Sequence, residues 1–246
     1  MRVSLPVIEL GETQEENLEK VIRAIDASID CDFVFFAETT VSGFIPNDNA
    51  SEMLALGQEI PGEITNRISM ACMKNGVWVS IGLLEKEEGR LFDTAIVINP
   101  SGEIVMKYRR LSPGWHWPNS DPAVFCEGES VVSVETPFGK MACLICGDFF
   151  DEQRQIEQIA RLQPDFLHLL LVRTGGEGVR YSQEEWDNDD IPDYSERTKS
   201  IGIPVLMVNY ILDECYGGAT ILSGDGSVVS SLPIWQEGIL KHELSV

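Results

Sequence analysis

A thiol, a carboxylate and a cluster of cations stand far apart along this 246-residue chain, each at the end of an apolar run. Met141-Ala142-Cys143-Leu144-Ile145-Cys146 reads as a strand that ends on a thiol. Gly147 and Asp148 then lead into a polar, helix-like segment beginning near Asp151. A thiol at such a strand-to-helix turn is presented outward, and the first N–H groups of the helix favour its thiolate. Asp32-Phe33-Val34-Phe35-Phe36-Ala37-Glu38 is a second apolar strand, ending on a single carboxylate. Lys107-Tyr108-Arg109-Arg110 lies between the two. A carboxylate, a cation and a cysteine, each at a strand end, suit thiol-based acyl chemistry.

The elements that must carry these groups follow from period and punctuation. Residues 3–10 read as a first strand. Thr13-x-x-Glu16 is a helix-start pattern, and Leu18, Val21, Ile22, Ile25 and Ile29 follow at helical spacing, predicting a helix over 14–28. Residues 33–37 form the continuous apolar run expected of a buried strand. A second helix is expected over 61–74, stopped by Asn75-Gly76. Strands follow at 77–84, 92–98 and 103–108, with turns at 85–89 and 99–102. Residues 112–129, which carry Trp115, His116 and Trp117, form a long irregular segment of the kind that often serves function. Strands at 130–135 and 140–145, a helix at 151–162 and a strand at 166–172 come next. Residues 173–192 are polar, acidic and Gly-rich and read as a second long loop, before a helix at 195–202 and strands at 204–210, 219–223 and 227–232. This order argues for an α/β architecture of layered sheets covered by helices. No linker composition or repeat divides the chain, so 1–246 reads as one domain.

Composition narrows the function classes. The formal net charge is −22, which argues against nucleic acid and anionic lipid as partners and favours a cationic or neutral substrate over a polyanion. The first ten residues are too short and too polar an apolar stretch for a signal peptide. No stretch approaches the ~20 apolar residues of a membrane span, so no membrane partner and a cytoplasmic location are expected. Six cysteines without dense regular spacing read as mostly free, buried thiols.

Several segments taken together resemble the nitrilase or carbon–nitrogen hydrolase superfamily, almost from end to end. Glu38 with Thr39-Thr40-Val41-Ser42-Gly43-Phe44 looks like that family's glutamate motif. Gly82-Leu83-Leu84-Glu85 through Asn99-Pro100-Ser101-Gly102 to Arg109 looks like the approach to its lysine motif. Thr136-Pro137-Phe138-Gly139-Lys140 through Cys146 looks like its cysteine motif, and Tyr216-Gly217-Gly218-Ala219-Thr220 with Gly224-Asp225-Gly226 resembles its closing hairpins. The resemblance implies a four-layer α-β-β-α sandwich, usually dimerised through its helices, so a homodimer or higher homo-oligomer is expected. It implies hydrolysis of a small amide or nitrile with no metal or organic cofactor. Cys146 would be the nucleophile, Glu38 the general base for thiol and water, and Arg110 the oxyanion stabiliser beside a backbone N–H, most simply that of Gly147. The apolar approach to Glu38 should raise its pKa by desolvation.

The chain departs from the family pattern at several places. Arginine, Arg110, stands where the family has its catalytic lysine. Lys107 is nearby, but strand alternation sends it to the opposite face. Gly147 replaces an aromatic residue, and the family's extra glutamate has only Glu127 and Glu129 as candidates. Arginine keeps the charge and the donors but cannot shed a proton at ordinary pH, so a catalytically impaired member that binds a small ligand or partner is the alternative. Cys143-x-x-Cys146 also raises a redox dithiol or half a metal site, although Cys143 lies inside the apolar run. Trp115, His116, Trp117, Tyr181 and Trp186 are candidate pocket residues. His168 reads as a core histidine, His242 as exposed, and Asp148 and Asp151 as helix-start caps.

Overall fold

In the computed structural model, residues 1–43, 49–150, 154–176 and 178–245 are described. Phe44 and Asp151, both named above, lie outside them. The elements in chain order are β1 (Arg2–Val7), α1 (Gln14–Asp26), β2 (Phe33–Phe35), α2 (Ala50–Leu56), α3 (Glu63–Asn75), β3 (Trp78–Glu87), β4 (Arg90–Ile98) and β5 (Ile104–Arg109). Then come β6 (Ser133–Thr136), β7 (Gly139–Ile145), a 3₁₀ turn (Cys146–Phe149), α4 (Arg154–Leu162) and β8 (Phe166–Leu170). A helical run follows, made of α5 (Gln183–Glu185), a π-helical turn (Trp186–Asp190) and α6 (Ile191–Ile201). The chain closes with β9 (Val205–Val208), β10 (Ile211–Leu212), β11 (Cys215–Tyr216), β12 (Ala219–Leu222), β13 (Val228–Leu232) and β14 (Gly238–Glu243).

Two six-stranded sheets result, ordered β14-β1-β2-β3-β4-β5 and β13-β12-β9-β8-β7-β6. Within each, three strands run parallel (β1, β2, β3 and β7, β8, β9) and the outer pairs are antiparallel. Parallel neighbours need crossovers, and helices supply them. The carboxyl ends of β2 and β7, where Glu38 and Cys146 follow, are therefore the ends at which such sheets present ligand-binding groups. The sheets face each other, and the helices lie outside them. α1 buries Leu18, Val21 and Ile25, and α3 buries Ile68 and Cys72. Among the described residues no helix is long and apolar enough to cross a membrane.

Aromatic rings join the sheets. Phe35 of β2 meets Phe166 and His168 of β8 edge-on. His168 is fully buried, and its Nδ1 shares a 2.8 Å hydrogen bond with Ser80 Oγ of β3. Burial pushes this imidazole down to about 3. An unfolded histidine takes up its proton near pH 6.5, whereas the folded one stays neutral far below that. The stability this site contributes is thus full above about pH 6.5 and lost as pH falls toward 3. Between pH 7.5 and 5 the parent should lose about 2 kcal/mol more unfolding free energy than His168→Gln. Urea titrations at the two pH values measure this, and equal losses would contradict it.

The structure departs from the sequence expectations in places. The segment expected as a loop to residue 192 becomes helical at Gln183. Ser182 accepts from the Glu185 amide and Glu185 reaches back to the Ser182 amide, a reciprocal start hidden in acidic composition. Trp186, Asp190, Tyr194 and Thr198 form its buried face at a spacing of four, and two of these are polar, which masked the period. The turn expected at 85–89 is shorter, because β3 continues to Glu87: buried Glu85 is ion-paired to Lys107 and Arg109 across the sheet. The short α2 and the edge strand β14 were not expected. His242, expected to be exposed, sits half-buried in β14 opposite Val3.

Candidate active site

Glu38 comes three residues after β2 and is 1 % exposed. The backbone turns sharply beyond it, with Thr39 at φ 42°. Gly82 of β3 makes this position available. A Cβ there would lie 2.6 Å from the Glu38 Cα, and the Gly82 amide and carbonyl instead bond Ala37 O (3.0 Å) and Thr40 N (3.0 Å).

Arg110 directly follows β5. Its amide donates to Asp93 O (2.8 Å), and its carbonyl accepts from the Gly128 amide (2.7 Å). Its 5 %-exposed side chain reaches Glu38 Oε1 (2.9 Å) and Asp93 Oδ2 (3.4 Å) through Nη1, and Ser112 Oγ (3.0 Å) through Nε. One guanidinium thus lies between two buried carboxylates. Burial works against its charge, but Glu38, Cys146 and Asp93 outweigh that and hold it protonated. Burial pushes the Glu38 carboxyl well above the usual range. The charges of Asp93 and Cys146 push the same way, and Arg110 pulls against them. Burial likewise raises Asp93, opposed first by Arg110.

Alternation along β5 separates the neighbours. Lys107 and Arg109 turn to the other side and pair with Glu85 and Glu87, as the sequence reading expected of Lys107. Tyr108 shares the face of Arg110 and donates to Asp148 Oδ2 (2.6 Å). Asp148 is more than the helix cap expected. It accepts from the amides of Ile145, Leu111 and Ser112, and so ties the turn bearing the thiol to the segment bearing Arg110.

Cys146 opens the 3₁₀ turn at φ 43°, half-buried, rather than the first turn of an α-helix. Its Sγ donates to Val172 O at 3.6 Å, beyond the end of β8. Its charge acts on both Glu38 and Arg110, so the three groups named from sequence share one electrostatic environment. Gly147 explains how the arginine fits: a Cβ there would stand 2.6 Å from Arg110 Nη2 and 3.0 Å from Ser112 Oγ. The two departures at 110 and 147 are therefore one steric arrangement. Gly147→Ala should displace the guanidinium, lowering activity about 10- to 100-fold and stability by about 1–3 kcal/mol. Steady-state kinetics and thermal melts check this; unchanged kinetics would show that the close approach is dispensable.

The other candidates fall elsewhere. Trp115 is 3 % exposed in a small apolar cluster with Met53, Leu84, Leu91 and Phe125; the irregular loop uses it as core rather than as an open pocket wall. His116 pairs with Glu127 at 2.9 Å, and Trp117 is half exposed. Glu127 is thereby committed to His116. Tyr181 stacks on Tyr216, and Trp186 meets Tyr194 and Tyr216. Cys143 is fully buried beside Ser80, burial pushes its thiol up to about 12, and all six cysteines are free. Asp93 and Ser112 were not named from sequence. The available signal for Asp93 was a lone acid inside the apolar strand Leu91–Ile98.

Comparison with known proteins gives a family model described as carbon–nitrogen hydrolase that matches residues 8–246. A formamidase of Bacillus cereus (strain G9842) is 24 % identical over 188 residues, which span 74 % of this chain and 53 % of the relative. A formamidase of Photorhabdus laumondii is 30 % identical over 153 residues, 58 % and 43 % of the two chains. The chain spans about half the length of these curated relatives. Among solved structures, an amidase from Nesterenkonia sp. AN1 superposes with a TM-score of 0.82 at 16 % identity, covering 100 % of this chain and 93 % of that one. A carbon–nitrogen hydrolase from Helicobacter pylori G27 gives 0.83 at 17 %, covering 98 % and 88 %. Both share the fold.

Proposed function

Given that the chain belongs to the carbon–nitrogen hydrolase family, we propose that it hydrolyses a small amide through a thioester on Cys146. Glu38 carries the protons and Arg110 steadies the oxyanion. One observation carries this reading: a guanidinium that holds the buried Glu38 at 2.9 Å also arches over Gly147, the residue next to the thiol.

The chemistry follows from the groups. Glu38, whose burial raises its proton affinity well above that of a free carboxylate, takes the Sγ proton as sulfur attacks the amide carbon. The carbonyl oxygen gains a negative charge, met by Arg110 Nη2, which makes no hydrogen bond among the described residues, and by the Gly147 amide. Such a donor contributes about 3–4 kcal/mol to the barrier. The C–N bond breaks as Glu38 returns its proton to nitrogen, and ammonia leaves. Water then attacks the thioester, again giving a proton to Glu38, and the acid departs as the thiol re-forms. A nitrile would enter by the same attack. The test is ammonia release over a panel of formamide, ω-amides, carbamoyl compounds and nitriles. Turnover of at least one amide is expected, and silence across the panel would defeat the proposal.

The same ion pair favours a second reading, in which Arg110 locks Glu38 and the chain only binds its ligand. Arg110→Lys separates the two. Lysine lacks the Nε contact to Ser112 and leaves room above Gly147, so the hydrolase reading predicts about a tenfold or greater fall in kcat/KM. A large gain from a near-inactive parent would favour the binding-only reading.

A further inference from the structure

A second carboxylate stands beside Glu38, and the mechanism above gives it no part. Asp93 lies inside the apolar strand β4. Alternation sends its neighbour Thr94 to the Glu85 side of the sheet, where Thr94 Oγ1 donates to Glu85 Oε2 (2.7 Å), and sends Asp93 to the side of Arg110. Asp93 and Glu38 are each 1 % exposed. Nη1 of Arg110 serves both, at 2.9 Å from Glu38 Oε1 and 3.4 Å from Asp93 Oδ2. The second oxygens, Glu38 Oε2 and Asp93 Oδ1, are buried, and no N–H or hydroxyl of the described residues reaches them. The two carboxyl groups are hydrogen-bonded to each other, a bond that strengthens the hold of Glu38 on a proton and weakens that of Asp93.

One guanidinium neutralises one carboxylate, so Glu38 alone would satisfy Arg110. Asp93 leaves the buried group with one negative charge in excess, which burial disfavours. A single proton on the pair restores neutrality and supplies the donor that two carboxylates lack. Other titratable groups face the pair. Cys146 acts on Glu38, Asp148 acts on Asp93, and Asp93 acts on Tyr108. Asp148 and Tyr108 are already bonded to each other, and Asp148 also holds three amides. Arginine cannot shed a proton at ordinary pH, so proton handling near the thiol falls to the carboxyls. We infer that Asp93 is the partner that lets Glu38 take and hold a proton: when Glu38 accepts the Sγ proton, its new O–H donates to Asp93, and Arg110 keeps Asp93 as its counter-charge. Glu38 gives up that hydrogen bond when it returns the proton to the leaving nitrogen. Asp93 acts through Glu38 and touches no reacting atom. By dividing the charge of Arg110 it keeps Glu38 a strong enough base for a thiol. This deepens the hydrolase reading and, for the reaction itself, rests on it.

Two arms test the pair, the first without any turnover. It follows the infrared band of a protonated buried carboxyl against pH in the parent, Asp93→Asn and Asp93→Ser, with Glu38→Gln to assign the band. In the parent the band should persist above the pH range in which exposed acids titrate. In Asp93→Asn and Asp93→Ser its midpoint should fall by about one pH unit or more, because the like charge and the hydrogen-bond acceptor are gone. Asparagine matches aspartate in shape and keeps an oxygen for Arg110 Nη1, so the fold should hold. The second arm measures kcat and kcat/KM against pH for the amide turned over best. In Asp93→Asn the acid limb should move to lower pH by the same interval. Its plateau kcat should fall about three- to tenfold with KM little changed, because a weaker base takes the thiol proton more slowly. A merely structural Asp93 would lower the melting temperature and leave the infrared midpoint where it is, and that result overturns the inference whether or not amides are hydrolysed. An acid limb that stays in place while amides are hydrolysed overturns it too. A lowered infrared midpoint in a protein that hydrolyses no amide sustains the hold of Asp93 on Glu38 and removes the hydrolase reading.

Discussion

Cys146→Ala is expected to abolish ammonia release, by about 10⁴-fold or more, with a melting temperature close to that of the parent. Removing the nucleophile of a catalytic group that works as a unit removes nearly the whole chemical acceleration. The buried thiols cannot stand in. Cys143 is fully buried, with its thiol pushed up to about 12, and Cys72 and Cys215 are buried with thiols pushed equally high. The fold should tolerate the change, because Cys146 is half-buried and, among the described residues, its Sγ makes only the long hydrogen bond to Val172 O. Alanine keeps a Cβ at the same φ of 43°, so backbone strain is unaltered. Residual activity within tenfold of the parent would show that the acyl group is carried elsewhere.

Arg110→Met should be the most damaging change to the fold as well as to activity. It removes the cation between two carboxylates that are each 1 % exposed. Leaving buried charge without its partner costs about 3–5 kcal/mol. The pH dependence identifies the cause. Without the guanidinium, Glu38 and Asp93, already raised by burial, hold protons still more tightly in the folded state. The unfolded chain releases them above about pH 4.5, so the folded state binds the extra protons and the variant's stability falls as pH rises from about 5. The deficit relative to parent should therefore be larger at pH 8 than at pH 5, and adding Asp93→Asn should recover part of it. A deficit independent of pH, or no rescue, would mean that Arg110 acts by packing alone. Activity should stay lost in the double variant, since the oxyanion donor is still missing.

The parts of the site visible in the sequence were those that punctuate strands. Glu38 and Cys146 each close an apolar run, and the cluster from Lys107 to Arg110 ends one; the family resemblance picked Arg110 out of that cluster. Asp93 was missed for the opposite reason: it sits inside a buried strand, and the pairing of β4 with β5 sets it against the Arg110 amide and guanidinium. Asp148 looked like a cap because its position after the cysteine is a helix-start position. Its four hydrogen bonds, three of them to backbone amides, come from segments that are distant in sequence or on the preceding strand. The helix after the Gly-rich acidic stretch was expected only from residue 195, because Asp190 breaks the apolar period of its first turns. Trp115 shows the reverse error, an aromatic in an irregular segment that suggested a pocket and instead fills a local core with Phe125. Local pattern thus located groups at element ends, whereas groups defined by contacts between sheets or loops required the folded chain.

The central claim is that the Cys146 sulfur carries the acyl group during turnover. Rapid acid quench during the first turnovers of the best amide, followed by intact mass and peptide mapping, tests it most directly. A mass gain equal to the acyl group less one hydrogen is expected on the peptide bearing Cys146, appearing in step with the first equivalent of ammonia and absent from Cys146→Ala. Ammonia released through the same interval while Cys146 remains a free thiol, or an adduct mapped to another residue, would contradict it.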